Sequence, residues 1–169
     1  MASRKHSWAV YVKSAGEINI GALYVPPRLT DFVKQIYAEL GAEAEINNSG
    51  EPAGDTGIVE CEQDEYHKTL YAYIKVSGRD LTEEMAAVES GYTDSLQTSV
   101  VFLNIQDPAA VYGFEALKEA GYKFAGLKPL CGEHEYIIMS KTNDVVIDAS
   151  EFQMTDALRR LFVKVGEAE

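Results

Sequence analysis

The sequence predicts an α/β protein: a mixed sheet with helices packed on it. Two observations carry that prediction. Strand-like and helix-like segments alternate along most of the chain, the pattern that layers helices against a sheet. The run Ser99–Ile105 is almost continuously apolar, as a strand buried on both faces is. The expected order is ββα(β), a loop, ββαβαββ, a short strand and a last helix.

Trp8–Val12 and Ile18–Val25 are β-branched and aromatic runs around a Gly-bearing turn at Ser14–Glu17, which is hairpin chemistry. Pro26 and Pro27 end the second run, since neither donates to a ladder. Thr30 or Asp31 caps a helix reaching Leu40, with Phe32, Val33, Ile36, Tyr37 and Leu40 forming one apolar stripe. Gly41 closes it, and Ala42–Ile46 forms a short strand. Residues 47–57 hold no core former and three glycines, so they read as a linker or mobile loop.

Ile58–Glu62 and Thr69–Val76 flank the polar turn Gln63–Lys68. The second run alternates, with Leu70, Ala72, Ile74 and Val76 on one side and Tyr71, Tyr73 and Lys75 on the other. Asp80 caps a helix over Leu81–Ser90, supported by Glu83 or Glu84 near its third position, with Leu81, Met85 and Val88 inward. Asp107-Pro108 opens a helix over Ala109–Ala120, with Pro108 at the favoured first position and Gly121 as its stop. Lys123–Leu127 and Tyr136–Ser140 form a closing pair of strands around the turn Pro129–Glu135. Val145–Ile147 is a short strand, and a helix from Thr155 to Val165 docks through Leu158, Leu161, Phe162 and Val165. Tyr24–Gly41 and Tyr73–Gly91 echo each other: a strand, a polar turn with an arginine (Arg28, Arg79), a capped helix and a glycine stop.

The 169 residues carry a net charge of −12 and are 46% hydrophobic and 25% charged. That is the composition of an ordinary globular domain. The acidic field argues against nucleic-acid partners and against anionic membranes. No apolar run approaches the ~18 residues of a membrane span. The basic start, Met1–Ser7, has no apolar stretch behind it and does not read as a secretory signal. Only Cys61 and Cys131 occur, without a C-x-x-C, so reduced, buried thiols, no disulfide and a cytoplasmic location are expected.

Several clusters invite chemistry. Cys131-Gly132-Glu133-His134-Glu135 groups a thiol, an imidazole and two carboxylates. A metal there needs further ligands, and Cys61 and His67 are the soft donors left. As a Cys–His nucleophile the group lacks an orienting partner. A polar hairpin tip, and no metal, is the expectation. Glu60, Glu62, Asp64, Glu65 and His67 surround one turn. Paired carboxylates act as acid and base only if burial splits them, and a solvated strand edge is expected instead. Among ten tyrosines, Tyr71 and Tyr73 share a sheet face. Such a face binds a flat ligand or a partner, or it packs helices, which is the favoured expectation. Arg28 and Arg79 sit in strand-to-helix turns, where an anion can bind; a plain helix start explains either one as well.

The segment Val100–Ser140 resembles the C-terminal half of the GNAT acetyltransferase fold. That half is a buried strand, a helix ending in GF or GY, then two antiparallel strands, the last often reading y-x-M-x-K. The matching residues are Val101–Ile105, Ala120–Gly126 and Glu135–Lys141. Ile58–Ser90 is similar to the family's central strands and first cofactor-side helix. Tyr24–Pro27, Ile36–Gly41, Gly121–Pro129 and Asn143–Asp148 resemble GNAT-like modules often fused in bacteria to anti-sigma-factor-type ATPase domains. On that resemblance residues 1–46 are a partial GNAT-like half, 47–57 the linker, and 58–169 a half with a C-terminal helix.

The resemblance implies an acetyl-CoA pyrophosphate site on a Q/R-x-x-G-x-G/A turn, whose backbone N–H groups face the phosphates. The equivalent Val76–Thr82 has one glycine, one arginine, and Asp80, which repels phosphate. In the first half, Pro26 and Pro27 remove the donors. The implied groove lies between Ile74–Asp80 and Val101–Pro108, with Val76, Ser77, Gly78, Arg79 and Asn104 facing the cofactor. The family's tyrosine general acid falls on Leu117, and Tyr112 is out of register, so no catalytic residue is assigned. The resemblance therefore implies a non-catalytic, regulatory module that senses a ligand or binds a protein, without a cofactor; an incomplete second half would leave apolar sheet exposed, so a homodimer is expected. The alternative is an acyl-CoA-dependent N-acetyltransferase that holds acetyl-CoA on a non-standard turn at Val76–Thr82. A third possibility is a purely structural half-module that dimerises through its sheet edge and tyrosine face.

Overall fold

The computed structural model describes residues 18–92, 96–130, 133–142 and 156–167. The chain is mixed α/β, with two sheets. The first unit is strand β1 (Ile18–Tyr24), a 3-10 turn at Pro27–Leu29, helix α1 (Thr30–Glu39) and strand β2 (Ala42–Asn47). Strands β1 and β2 pair in parallel, so the unit is a β-α-β crossover. Trp8–Val12, the expected hairpin partner, lies outside the described residues. The apolar stripe of α1 packs as its spacing requires. Val33 and Tyr37 are buried, and Phe32 meets Phe124 edge-on at 5.6 Å. Neither Thr30 nor Asp31 caps this helix. The 3-10 turn leads directly into it, and Thr30 Oγ1 accepts from Asn48 Nδ2 at 2.8 Å. Gly41 takes φ +71° behind the helix, where a side chain would be strained.

The second unit is β3 (Ile58–Asp64), β4 (Thr69–Val76), α2 (Leu81–Gly91), β5 (Thr98–Asn104), α3 (Ala110–Glu119), β6 (Lys123–Lys128) and β7 (Tyr136–Thr142). Its sheet has the order β3-β4-β5-β7-β6, with β4 and β5 parallel and every other neighbouring pair antiparallel. The echo between the two halves is one of topology: β1-α1-β2 and β4-α2-β5 are both parallel crossovers. Helix α3 starts later than Pro108. Asp107 accepts from Ala109 N at 3.2 Å through its carboxylate and from Ala110 N at 2.9 Å through its carbonyl. The Asp-Pro step therefore builds the turn ahead of the helix. Helix α4 (Asp156–Glu167) lies against β6, with Val165 on the core. The docking side chains Leu158, Leu161 and Phe162, and the strand expected at 145–147, lie outside the description.

One core spans both units. Leu23, Val33 and Tyr37 join Ile74, Leu103, Phe114 and Met139 in a single buried cluster. The parts expected at 1–46 and 58–169 therefore share buried residues, and the expected linker 47–57 runs between them. Residues 48–57 form no regular element but are fastened across the end of β4. Arg79 N donates to Gly54 O at 3.4 Å and Asp80 N to Asp55 O at 3.0 Å. Gly57 N donates to Asp80 Oδ1 at 3.2 Å, and Asn48 Nδ2 to Val25 O at 2.9 Å. Asp80 thus stands at the N-cap of α2 with its carboxylate turned to Gly57 rather than to its own helix. The glycines serve close approach. A Cβ on Gly57 would lie 2.7 Å from Val76 O and 2.8 Å from Gly78 N, and one on Gly50 would run into the Pro108 carbonyl.

Candidate functional site

The pairing of the parallel strands β4 and β5 ends at Ile74 opposite Leu103, short of the end of each strand at Val76 and Asn104. Open α/β sheets bind ligands at the carboxyl ends of their strands, so this splay is the candidate site. The chain's own polar groups fill it. Asn104 Nδ2 donates to Lys75 O at 3.0 Å, and its Oδ1 accepts from Gln106 N at 3.0 Å. Asp107 Oδ2 accepts from Ser77 N at 2.7 Å.

The five residues expected to face a cofactor are gathered at this end of the sheet, but the backbone N–H groups of Ser77 and Arg79 and the Asn104 amide donate to protein. Val76 ends β4 opposite Ile58. Ser77 is 1% exposed, and its Oγ has no hydrogen-bond partner among the described residues. Gly78 backs onto Gly57. The N–H of Arg79 is taken by Gly54 O, and its Nε lies 3.6 Å from Asp55 Oδ1. Asp55, Asp80 and Asp107 thus bring three carboxylates to the turn. Behind it, burial and then the Asp80 charge push the Glu84 carboxyl up. Tyr112 donates to Arg79 O at 3.2 Å, whereas Leu117 is core. Arg28, the other turn arginine, pairs with Glu115 at 3.1 Å and lies 4.9 Å above the Phe114 ring.

The remaining clusters sort by geometry. Glu60 and Glu62 are exposed on β3, and Asp64 accepts from His67 at 2.7 Å, which holds its carboxyl below the usual range. Cys61 is exposed on the same strand and not buried as expected. Cys131 lies outside the described residues, and His134 sits edge-on to Tyr136. Glu135, read as part of a hairpin tip, is instead 6% exposed and accepts from Tyr37 OH at 2.5 Å and Leu130 N at 3.0 Å. Gln106 completes this anchor, donating to Ile20 O and accepting from Glu135 N. A second anchor is Glu89, which accepts from Ser99, Tyr122 and Lys141. The sequence reading missed Gln106 and Glu89, because their partners are remote in the chain.

The tyrosine face departs furthest from expectation. Buried residues of α2 and α3 pack with Ala72, Ile74, Val101 and Leu103, on the face opposite Tyr71 and Tyr73. None of Tyr71, Tyr73 and Phe102 belongs to the core. Tyr73 and Phe102 stack at 4.6 Å and 9°, and Lys128 Nζ lies 4.9 Å above the Phe102 ring. Ring stacking and a cation over the ring face hold the pair in place on the side of the sheet away from α2 and α3.

Together these features define a mixed α/β protein with a self-filled strand splay and an aromatic sheet face that is open among the described residues. Compared with known protein families, curated proteins and solved structures, the chain matches none. Among the described residues no helix is long and apolar enough to cross a membrane.

Proposed function

We propose that the chain is a GNAT-like module that keeps an acetyltransferase scaffold without its chemistry and acts by binding, in a regulatory role. The scaffold half of this proposal is supported by β5, α3, β6 and β7, which form a buried strand, a helix and two antiparallel strands in sequence. The functional half rests on one observation: the N–H groups of Ser77, Arg79 and Asp80 already have acceptors within the chain. A pyrophosphate at this turn would have to break those bonds and lie beside carboxylates. Each like-charge pair at ~5 Å and an effective dielectric near 20 costs about 3 kcal/mol. The working surface is then the open aromatic face, and the partner is a protein or a small flat molecule. The proposal keeps the cytoplasmic location expected from cysteine usage.

Calorimetric titration with CoA and with acetyl-CoA tests this. No heat of binding and no rise in Tm are expected at millimolar ligand. Ligand at 100 Kd that raised stability by about 2.7 kcal/mol would overturn the proposal and restore the acyl-CoA-dependent N-acetyltransferase.

A further inference from the structure

We propose that the aromatic face of the large sheet, open among the described residues, receives a second copy of this chain, face to face, about a two-fold axis parallel to the strands. The sheet register sets out the face in rows. One row runs Glu62, Tyr71, Val100, Ser140, Lys123 from β3 to β6. The next runs Glu60, Tyr73, Phe102, Ile138, Gly126. Each row is apolar or aromatic in the middle, and the first is acidic at one end and basic at the other.

Glu60 is answered within the chain by Lys75 at 3.4 Å. Glu62 and Lys123 are both exposed, and neither has an ion-pair partner among the described residues. A two-fold axis along the strands lays the β3 margin of one copy over the β6 margin of the other. Glu62 then faces Lys123 of the second copy, twice, while Phe102, with Lys128 Nζ over its ring, lies near the axis. An axis across the strands would set acid against acid and base against base. The charge pattern therefore selects both the occupant and its orientation.

Five strands at ~4.8 Å and three side-chain rows, the two above and the neighbouring row Asp64, Thr69, Thr98, Thr142, give a footprint on the order of 500 Å² per copy. That is below the ~800 Å² per partner of a standard interface, so a dimer in exchange with monomer is expected. This inference rests on the aromatic face as the working surface, with a second copy as its protein partner, and not on the splay. It stands or falls separately from the loss of acyl-CoA binding.

Sedimentation equilibrium of the full chain, from micromolar to several hundred micromolar, reads the association directly. The wild type is expected to show a monomer–dimer equilibrium. Phe102→Glu, checked as folded by circular dichroism, should weaken it at least tenfold. Glu62→Lys and Lys123→Glu each leave the core untouched and should each weaken it roughly tenfold, since two opposite-charge contacts become two like-charge ones. Mixing these two variants should restore association, because every margin contact is again a Glu–Lys pair. A wild type monomeric throughout, a dimer indifferent to these substitutions, or a mixture no tighter than its components would overturn the proposal.

Discussion

Replacing Glu89 with alanine is expected to lower the unfolding free energy by about 3 kcal/mol. The carboxylate sits on the last turns of α2 and accepts from Ser99 Oγ at 2.7 Å, Tyr122 OH at 2.6 Å and Lys141 Nζ at 2.8 Å. It therefore ties α2 to β5, to β7 and to the turn after α3. Ser99 and Tyr122 are each 2% exposed, so the alanine variant strands two buried hydroxyls as well as an ammonium. Burial pushes the Glu89 carboxyl up, but the hydrogen bonds from Lys141, Tyr122 and Ser99 outweigh it and hold the group below the usual range. A group depressed in the folded state stabilises above its unfolded pKa and loses that contribution as pH falls through the folded value. The wild type should lose part of its urea stability as pH falls below ~4.3, the ordinary glutamate value, and the alanine variant should lose less over the same interval. Equal pH slopes, or a cost under about 1 kcal/mol at neutral pH, would show that the cluster is not the tie described. Burial, with Glu89 adding to it, pushes the Tyr122 phenol well above its ordinary value, so it stays a donor across this range.

Gly78→Ala is the second large effect, at about 2–3 kcal/mol. A Cβ there would meet Gly57 N, and would lie 2.5 Å from both Asp80 Oδ1 and the Thr56 carbonyl carbon. Two of these are backbone atoms, which cannot swing aside, so the 48–57 segment has to lift. Amide exchange at Arg79 and Asp80, whose acceptors are Gly54 O and Asp55 O, should quicken with it. Gly54→Ala is the control. Its Cβ meets nothing within 4 Å, and its stability should change by less than about 0.5 kcal/mol. If both variants behave alike, the segment is not held by close approach.

Much of the fold could be read from short-range pattern. The alternation of Thr69–Val76 and the apolar run at Ser99–Ile105 identify β4 and β5, and Gly41 and Gly121 mark two helix ends with positive φ. What pattern cannot carry is the identity of a partner. The strand at Ile18–Tyr24 is correctly a strand, yet its described neighbour is β2, across a helix. The alternation of Tyr71 and Tyr73 says that β4 has two faces, not which of them the helices cover. Glycine is ambiguous in the same way. Gly50 and Gly57 read as freedom in the sequence, whereas the structure uses their missing Cβ for contact with Pro108 and Gly78. The candidate site was legible as a place and not as a state. Residues 76–80 and Asn104 do converge, but their donors are spent on Gly54, Asp55 and Asp107, distant in the chain from the groups they satisfy. Glu135 failed for the same reason, since its partner Tyr37 lies 98 residues away.

Hydrogen–deuterium exchange at the Ser77, Arg79 and Asp80 amides, with and without millimolar CoA, tests the self-filled splay most directly. Slow exchange at all three, unchanged by CoA, is the predicted result, because their hydrogen bonds are to the chain itself. Fast exchange in the free protein that slows when CoA is added would contradict it, since those donors would then be open to solvent and waiting for a phosphate.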